Sequence, residues 1–295
     1  MRGFRKLLTI LAALLGLLLA AAVIGFALPG KGSSRDVRAG GSGASQGTRG
    51  SGEDPFGKAR GYVGGRHGSV AAFAEDLRTG RTWTLGSGTP QAEASMVKMN
   101  ILQGLLARHP GGLPAGQKAL ARKMMTVSDN DAATALWNDA GGPGGIGGYD
   151  AAAGLAHTKL SSCVRCPGFS WPGWGLSTTT PADQAALLRQ MVAPGTRLTA
   201  AARRYALSLM EDVTPDQRWG VSSGVPSGVT VALKNGWLPM SGANGDWQVN
   251  TAGWVSGGGR DYLLVVMSAH NPTMAYGTAT VSKVGSLAWA ALGSG

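Results

Sequence analysis

The sequence predicts an α+β body: one antiparallel sheet assembled from both ends of the chain, packed by the first and last helices, with a helical subdomain inserted between. Three observations predict it. Strand-like runs cluster at Ser69–Leu85 and again at Val229–Met267, helical periodicity fills the interval, and no repeat of 20–50 residues suggests a solenoid. At 295 residues and 43% hydrophobic, the chain can bury a sizeable core, which excludes a disordered protein or a peptide-scale scaffold.

The elements follow in order. Met1–Lys6 carries Arg2, Arg5 and Lys6, and the uncharged run Leu7–Leu28 follows. Its 22 residues would span about 33 Å as a helix, enough to cross a bilayer. The flanking positive charge directs everything after it outward. Residues 1–28 therefore read either as a membrane anchor or as a cleaved signal peptide, and either reading exports the body. Residues 29–60 are mostly Gly, Ser, Arg and Gln, the composition of a flexible tether, so folding is expected from Gly61 to Gly295. Ser69–Leu77 and Thr82–Leu85 form a hairpin around Gly80. Val97, Ile101, Leu102, Leu105 and Leu106 recur at helical spacing until His109-Pro110. Helices continue at 120–125, 132–137 and 183–191, strands return at 229–233, 247–255 and 262–267, and a last helix carries Val281, Val284, Leu287 and Ala288 on one face.

The formal charge of +11 first suggests nucleic acid. Residues 1–60 hold nine basic and three acidic residues, a net of +6, which leaves +5 for the 235 residues beyond them. The body is only mildly basic and has no long Lys/Arg run. Wall or membrane anions explain that balance as well, and no nucleic-acid partner is expected.

Three short motifs carry chemistry. Ser95-Met96-Val97-Lys98 opens a helix and puts Ser95 and Lys98 on one face, where an amine of low basicity can take the hydroxyl proton. Taken alone, it also reads as an N-cap followed by a solvated lysine. Ser128-Asp129-Asn130 precedes another helix and would alone read as an N-cap. Lys234-Asn235-Gly236 follows an apolar strand and would alone read as a charged strand end entering a turn.

In this order the three motifs resemble the serine β-lactamase and penicillin-binding superfamily, and most closely class A β-lactamases and the exported actinobacterial hydrolases similar to them. Thr178-Thr179-Thr180-Pro181 adds to the likeness, which covers about residues 62–292. It implies a three-layer α-β-α sandwich with a five-stranded antiparallel sheet. It further implies Ser95 as nucleophile, Lys98 as proton acceptor and Ser128 as proton shuttle. Asn130, Lys234, Asn235, Gly236 and Trp237 would contact substrate, the Ser95 and Trp237 N–H groups would form an oxyanion hole, and Arg218 is a candidate carboxylate anchor. No cofactor or metal is implied, and the chain is expected to act as a monomer on a β-lactam or cell-wall peptide.

Three departures qualify the resemblance. Residues 151–182, where class A enzymes carry the glutamate that activates water, contain no Asp or Glu. Asn235 stands where the family usually has Thr or Ser. The interval from Lys98 to Ser128 is short. Glu93 is the nearest carboxylate in sequence and reads as a surface residue. Slow deacylation is therefore expected, with a D-alanyl peptidase or transpeptidase, or a penicillin-recognising sensor, as the competing functions.

Other features are weighed and set aside. Gly142-Pro143-Gly144-Gly145-Ile146-Gly147 matches a dinucleotide fingerprint but follows a helix, and reads as a flexible turn. Cys163 and Cys166 read as a local disulfide, while His67, His109, His157 and His270 lack zinc spacing. Trp171, Trp174 and Trp237 read as partly buried packing, with groove lining as the alternative.

Overall fold

The computed structural model describes residues 54–168, 173–241 and 246–293, all within one compact unit. The tether and the apolar run at 7–28 lie outside these residues, as does Trp171. No helix among the described residues is long and apolar enough to cross a membrane.

The first described helix is α1, Gly57–Gly64, so folding begins before the expected Gly61. Phe56 and Ala59 are both fully buried and anchor it. Strands β1 (Ser69–Asp76) and β2 (Arg81–Leu85) form the expected hairpin, and the short β3 (Gln91–Ala92) leads into a 3₁₀ turn at Ala94–Val97. Helices α2 (Lys98–Arg108), α3 (Ala115–Thr126), α4 (Asn130–Asp139) and α5 (Gly142–Ala152) build the inserted layer. Then come β4 (Thr178–Thr179), α6 (Pro181–Val192) and α7 (Ala200–Glu211). Long strands β5 (Thr230–Ser241), β6 (Asp246–Gly257) and β7 (Arg260–Asn271) precede α8 (Met274–Ala291).

The five-stranded sheet has the order β2-β1-β7-β6-β5 and is antiparallel throughout, while β3 pairs with β4 separately. Its two faces feed two cores. On one face Ala232, Ala252, Leu263, Val265 and Met267 pack with α2–α7; on the other Leu233, Val255, Leu264 and Val266 pack with α1 and α8. Alternation along each strand thus makes the middle layer of a three-layer sandwich.

Two expectations are corrected here. The glycine-rich stretch at 142–147 is not a flexible turn; it is the first half of α5, with Pro143 in its first turn, where a proline costs no helical hydrogen bond. One of its glycines serves close packing: a Cβ on Gly145 would lie 2.1 Å from the Ala140 carbonyl. Nor does Lys234 end a strand, because β5 continues to Ser241 and Lys234, Asn235 and Gly236 pair in register with Ala252, Thr251 and Asn250.

Candidate active site

The 3₁₀ turn, the start of α4 and the middle of β5 converge on one cavity. Ala94 and Ser128 both have positive φ, 51° and 59°, conformations uncommon for residues with a Cβ. At Ser128 the turn lets both the carbonyl and the hydroxyl face Lys98. Asp129 is the N-cap of α4, its carboxylate accepting the Ala132 N–H at 2.7 Å, which frees Ser128 and Asn130 to face inward.

Lys98 is fully buried, and its Nζ lies 3.0 Å from Ser95 Oγ, 2.9 Å from Ser128 Oγ, 2.6 Å from the Ser128 carbonyl and 2.8 Å from Asn130 Oδ1. An ammonium has three protons for these four oxygens, whereas a neutral amine can accept the Ser95 proton while still donating to two carbonyl oxygens. Burial, and next the charge of Lys234, lower the Lys98 pKa to about 6. Lys234 is also buried, and its Nζ donates to Ser128 Oγ at 3.0 Å and to the Asn235 carbonyl at 2.7 Å. Desolvation lowers its pKa to about 7.

Gly236 runs edge-on past the nucleophile turn. A Cβ there would lie 2.8 Å from the Ser95 N, the Met96 N and the Glu93 carbonyl, so only glycine permits this approach. Asn250 on β6 secures the turn from behind, donating to the Ala92 and Glu93 carbonyls at 2.9 and 3.1 Å. The cavity, about 200 Å³, is lined by Ser95, Ser128, Asn130, Trp174, Trp237 and their neighbours, and no carboxylate is among the described residues that line it.

Sequence reasoning misplaced one side chain and overlooked others. Glu93 is not a surface residue; it is fully buried, donated to by Gln184 Nε2 at 3.2 Å, and burial raises its pKa well above the usual range, with Asp150 and Asp183 adding to the effect. Arg218 is not among the residues that line the cavity and donates to the Glu211 and Val231 carbonyls at 2.8 and 3.3 Å. Trp174 is almost wholly buried, with its ring centre 5.0 Å from Lys98 Nζ and its Nε1 donating to Thr134 Oγ1 at 3.1 Å. Cys163 and Cys166 are disulfide-bonded, and the Gly173 N–H donates to the Cys163 carbonyl at 2.8 Å, tying the loop to the residue before Trp174. Trp247 and Asn250 carried no sequence signal beyond a strand pattern.

A model of the beta-lactamase enzyme family matches residues 109–292, more than half of the chain. The chain belongs to that family. As a family member it is a serine hydrolase, and the fold agrees with solved beta-lactamase structures. A beta-lactamase from Chitinophaga pinensis aligns with a TM-score of 0.71 at 18% identity, covering 80% of this chain and 98% of that one. A class A representative from Bacteroides cellulosilyticus gives 0.70 at 14% identity, with 82% and 100% covered. The class A beta-lactamase of Mycobacterium abscessus gives 0.67 at 20% identity, with 81% and 100% covered. The family model begins after Lys98, so for this beta-lactamase family member the nucleophile motif rests on geometry: Ser95, Lys98, Ser128 and Lys234 form one continuous hydrogen-bonded set.

Proposed function

We propose that this beta-lactamase family member is an exported acyl-transferring hydrolase that forms an acyl-enzyme at Ser95 with β-lactams or related acyl-amides and releases it slowly. Neutral Lys98 takes the Ser95 proton as Oγ attacks the carbonyl carbon. Ser128, held between Lys98 and Lys234, relays a proton to the departing nitrogen as the C–N bond breaks. The Ser95 and Trp237 N–H groups receive the developing oxyanion, a contribution of roughly 3–4 kcal/mol in comparable sites. Asn130 orients the amide of the acyl donor.

The observation that carries slow release is the Trp174 indole beside Lys98 in a cavity with no carboxylate along its described lining. Hydrolysis of an ester needs a base for water. The surrounding loop, 151–182, has no Asp or Glu by sequence, and neither do 242–245. The same lack favours a second reading, a D-alanyl peptidase or transpeptidase, the transpeptidase passing its acyl group to an amine in place of water. A sensor that acylates once is the third reading, supported by Asn235 in the Lys-x-Gly motif.

Labelled penicillin followed by intact-mass measurement tests the proposal. The expected result is one adduct on Ser95 that remains after excess drug is removed, and none on Ser95→Ala. Rapid return to the unmodified mass would overturn slow release, and no adduct at all would overturn acylation. A D-alanyl-D-alanine peptide with an amine acceptor then separates hydrolase from transferase.

A further inference from the structure

Among the described residues, the Arg218, Asn235 and Lys234 side chains that a substrate carboxylate would look to at the Lys234 end of the cavity already donate within the protein. The Arg218 guanidinium donates to the Glu211 and Val231 carbonyls. Asn235 Nδ2 donates to the Gln217 and Trp219 carbonyls at 2.7 and 3.2 Å, and those two acceptors fix which end of the amide is nitrogen. That leaves Asn235 Oδ1, an acceptor, buried without a hydrogen-bond partner, and Gln217 Oε1 is in the same condition. Lys234 Nζ donates to Ser128 Oγ and the Asn235 carbonyl, which leaves a single proton of the charged amine for a substrate. Residues 169–172 and 242–245, next to the cavity in sequence, contain no Lys or Arg. A carboxylate brought here meets oxygen acceptors and one buried amine, and gives up its hydration for little return.

Apart from Ser95, Ser128 and Asn130, the lining is apolar. Val127 is half exposed beside Ser128, Trp174 closes the Lys98 side, and Trp237, Pro239 and Trp247 form the β5–β6 wall. Pro239 and Trp247 are cross-strand partners, and Trp237 packs against Trp219 with ring centres 6.0 Å apart. An aromatic wall of this kind holds acyl groups by area and stacking without regard to charge.

We propose that the groove selects uncharged, apolar acyl donors, taking amides and esters whose scissile bond is not flanked by a carboxylate at least as readily as those that carry one. Selection of this kind rests on acylation at Ser95 as proposed above. The acylation step itself is unchanged: the Ser95 Oγ–C bond forms, the C–N or C–O bond breaks, and the Ser95 proton ends on the leaving atom. The low basicity of both buried lysines agrees with it, since at neutral pH the site presents less positive charge than two lysines suggest.

The test compares benzylpenicillin with its methyl ester on the full chain, following the acylation rate by intact mass. The ester is expected to react within about threefold of the acid, or faster. Trp247→Ala is expected to slow both at least fivefold and in the same proportion. An acid reacting more than about thirtyfold faster than its ester would overturn the inference while leaving Ser95 acylation standing. Adduct from neither compound would overturn both. The wild-type ratio decides the matter even if Trp247→Ala fails to fold.

Discussion

At the scale of single residues, the site works by keeping two amines out of water on one shared hydroxyl, Ser128 Oγ, while Lys98 also reaches Ser95. Lys98 loses its proton near pH 6 and Lys234 near pH 7, because burial penalises each ammonium and the charge on Lys234 further penalises that on Lys98. If neutral Lys98 is the base and charged Lys234 supports Ser128, the two needs overlap in a narrow window. Acylation rate against pH is expected to rise through about 6 and fall above about 7, a bell measurable with a chromogenic β-lactam under single-turnover conditions. Removal of the base in Lys98→Ala is expected to cost roughly 10²–10⁴-fold in rate and abolish the rising limb. A flat profile from pH 5 to 9 would contradict these assignments. The motif residues were readable because four polar side chains in fixed order have few other uses. Their neighbours were not: sequence shows that Asn235 and Arg218 lie near Lys234, but not that backbone carbonyls already hold their donors.

At the scale of elements, the decisive contact is β5 against the nucleophile turn. The turn is held by Asn250 from β6 and faced by Gly236, whose missing side chain lets the two backbones meet. Gly236→Ala forces a methyl group into three main-chain atoms that lack a flexible end, so the strand must move away from Ser95. Acylation is expected to fall at least tenfold with only a modest loss of melting temperature; an unchanged rate would show that the Trp237 N–H is not needed where it stands. Sheet and inserted helices were legible because alternation and helical spacing reflect burial directly, as with Val281, Val284 and Ala288 on α8. Three helices were not. Helix α7 buries Ala202, Ala206, Leu209 and Met210 at helical spacing, yet alanine is a weak apolar marker and the stripe escaped notice. Helix α1 lies in tether-like composition and is fixed by one buried Phe56. The glycines of α5 argue against a helix on propensity, and packing overrides them, with Ile146 fully buried in the core.

Across the whole molecule, a buried polar layer joins the helical subdomain to the nucleophile turn. Glu93 before the turn, Asn100 on α2, Asp150 on α5 and Asp183 and Gln184 on α6 are all buried, and Asn100 Nδ2 donates to Asp150 Oδ2 at 3.0 Å. Glu93 Oε1, Asp150 Oδ1 and Gln184 Oε1 have no hydrogen-bond partner, and no lysine or arginine hydrogen-bonds or pairs with Glu93 or Asp150 among the described residues. Such carboxyls hold their protons to a higher pH than free ones. Desolvation raises Asp150 from 3.8 to about 6, with its Asn100 hydrogen bond opposing and Asp183 adding, and Glu93 rises well above 4.5. Between pH 4 and 6 the folded chain therefore holds protons that the unfolded chain has released, so these groups make stability fall as pH rises through that window. The buried lysines act in the opposite sense, adding stability as pH rises above about 6 to 7, and contribute no slope below it. For Asp150 the shift corresponds to at most about 3 kcal/mol at 1.36 kcal/mol per unit. Asp150→Asn keeps an acceptor for Asn100 and removes the ionisation, as Glu93→Gln does for Gln184. Each is expected to melt several degrees above wild type at pH 7 and close to it at pH 4, at roughly 2–4 °C per kcal/mol for a body of this size. Melting curves across that range decide it: a variant gain that is equal at both pH values would mean that these carboxyls are charged in the fold, and the layer would then need a cation.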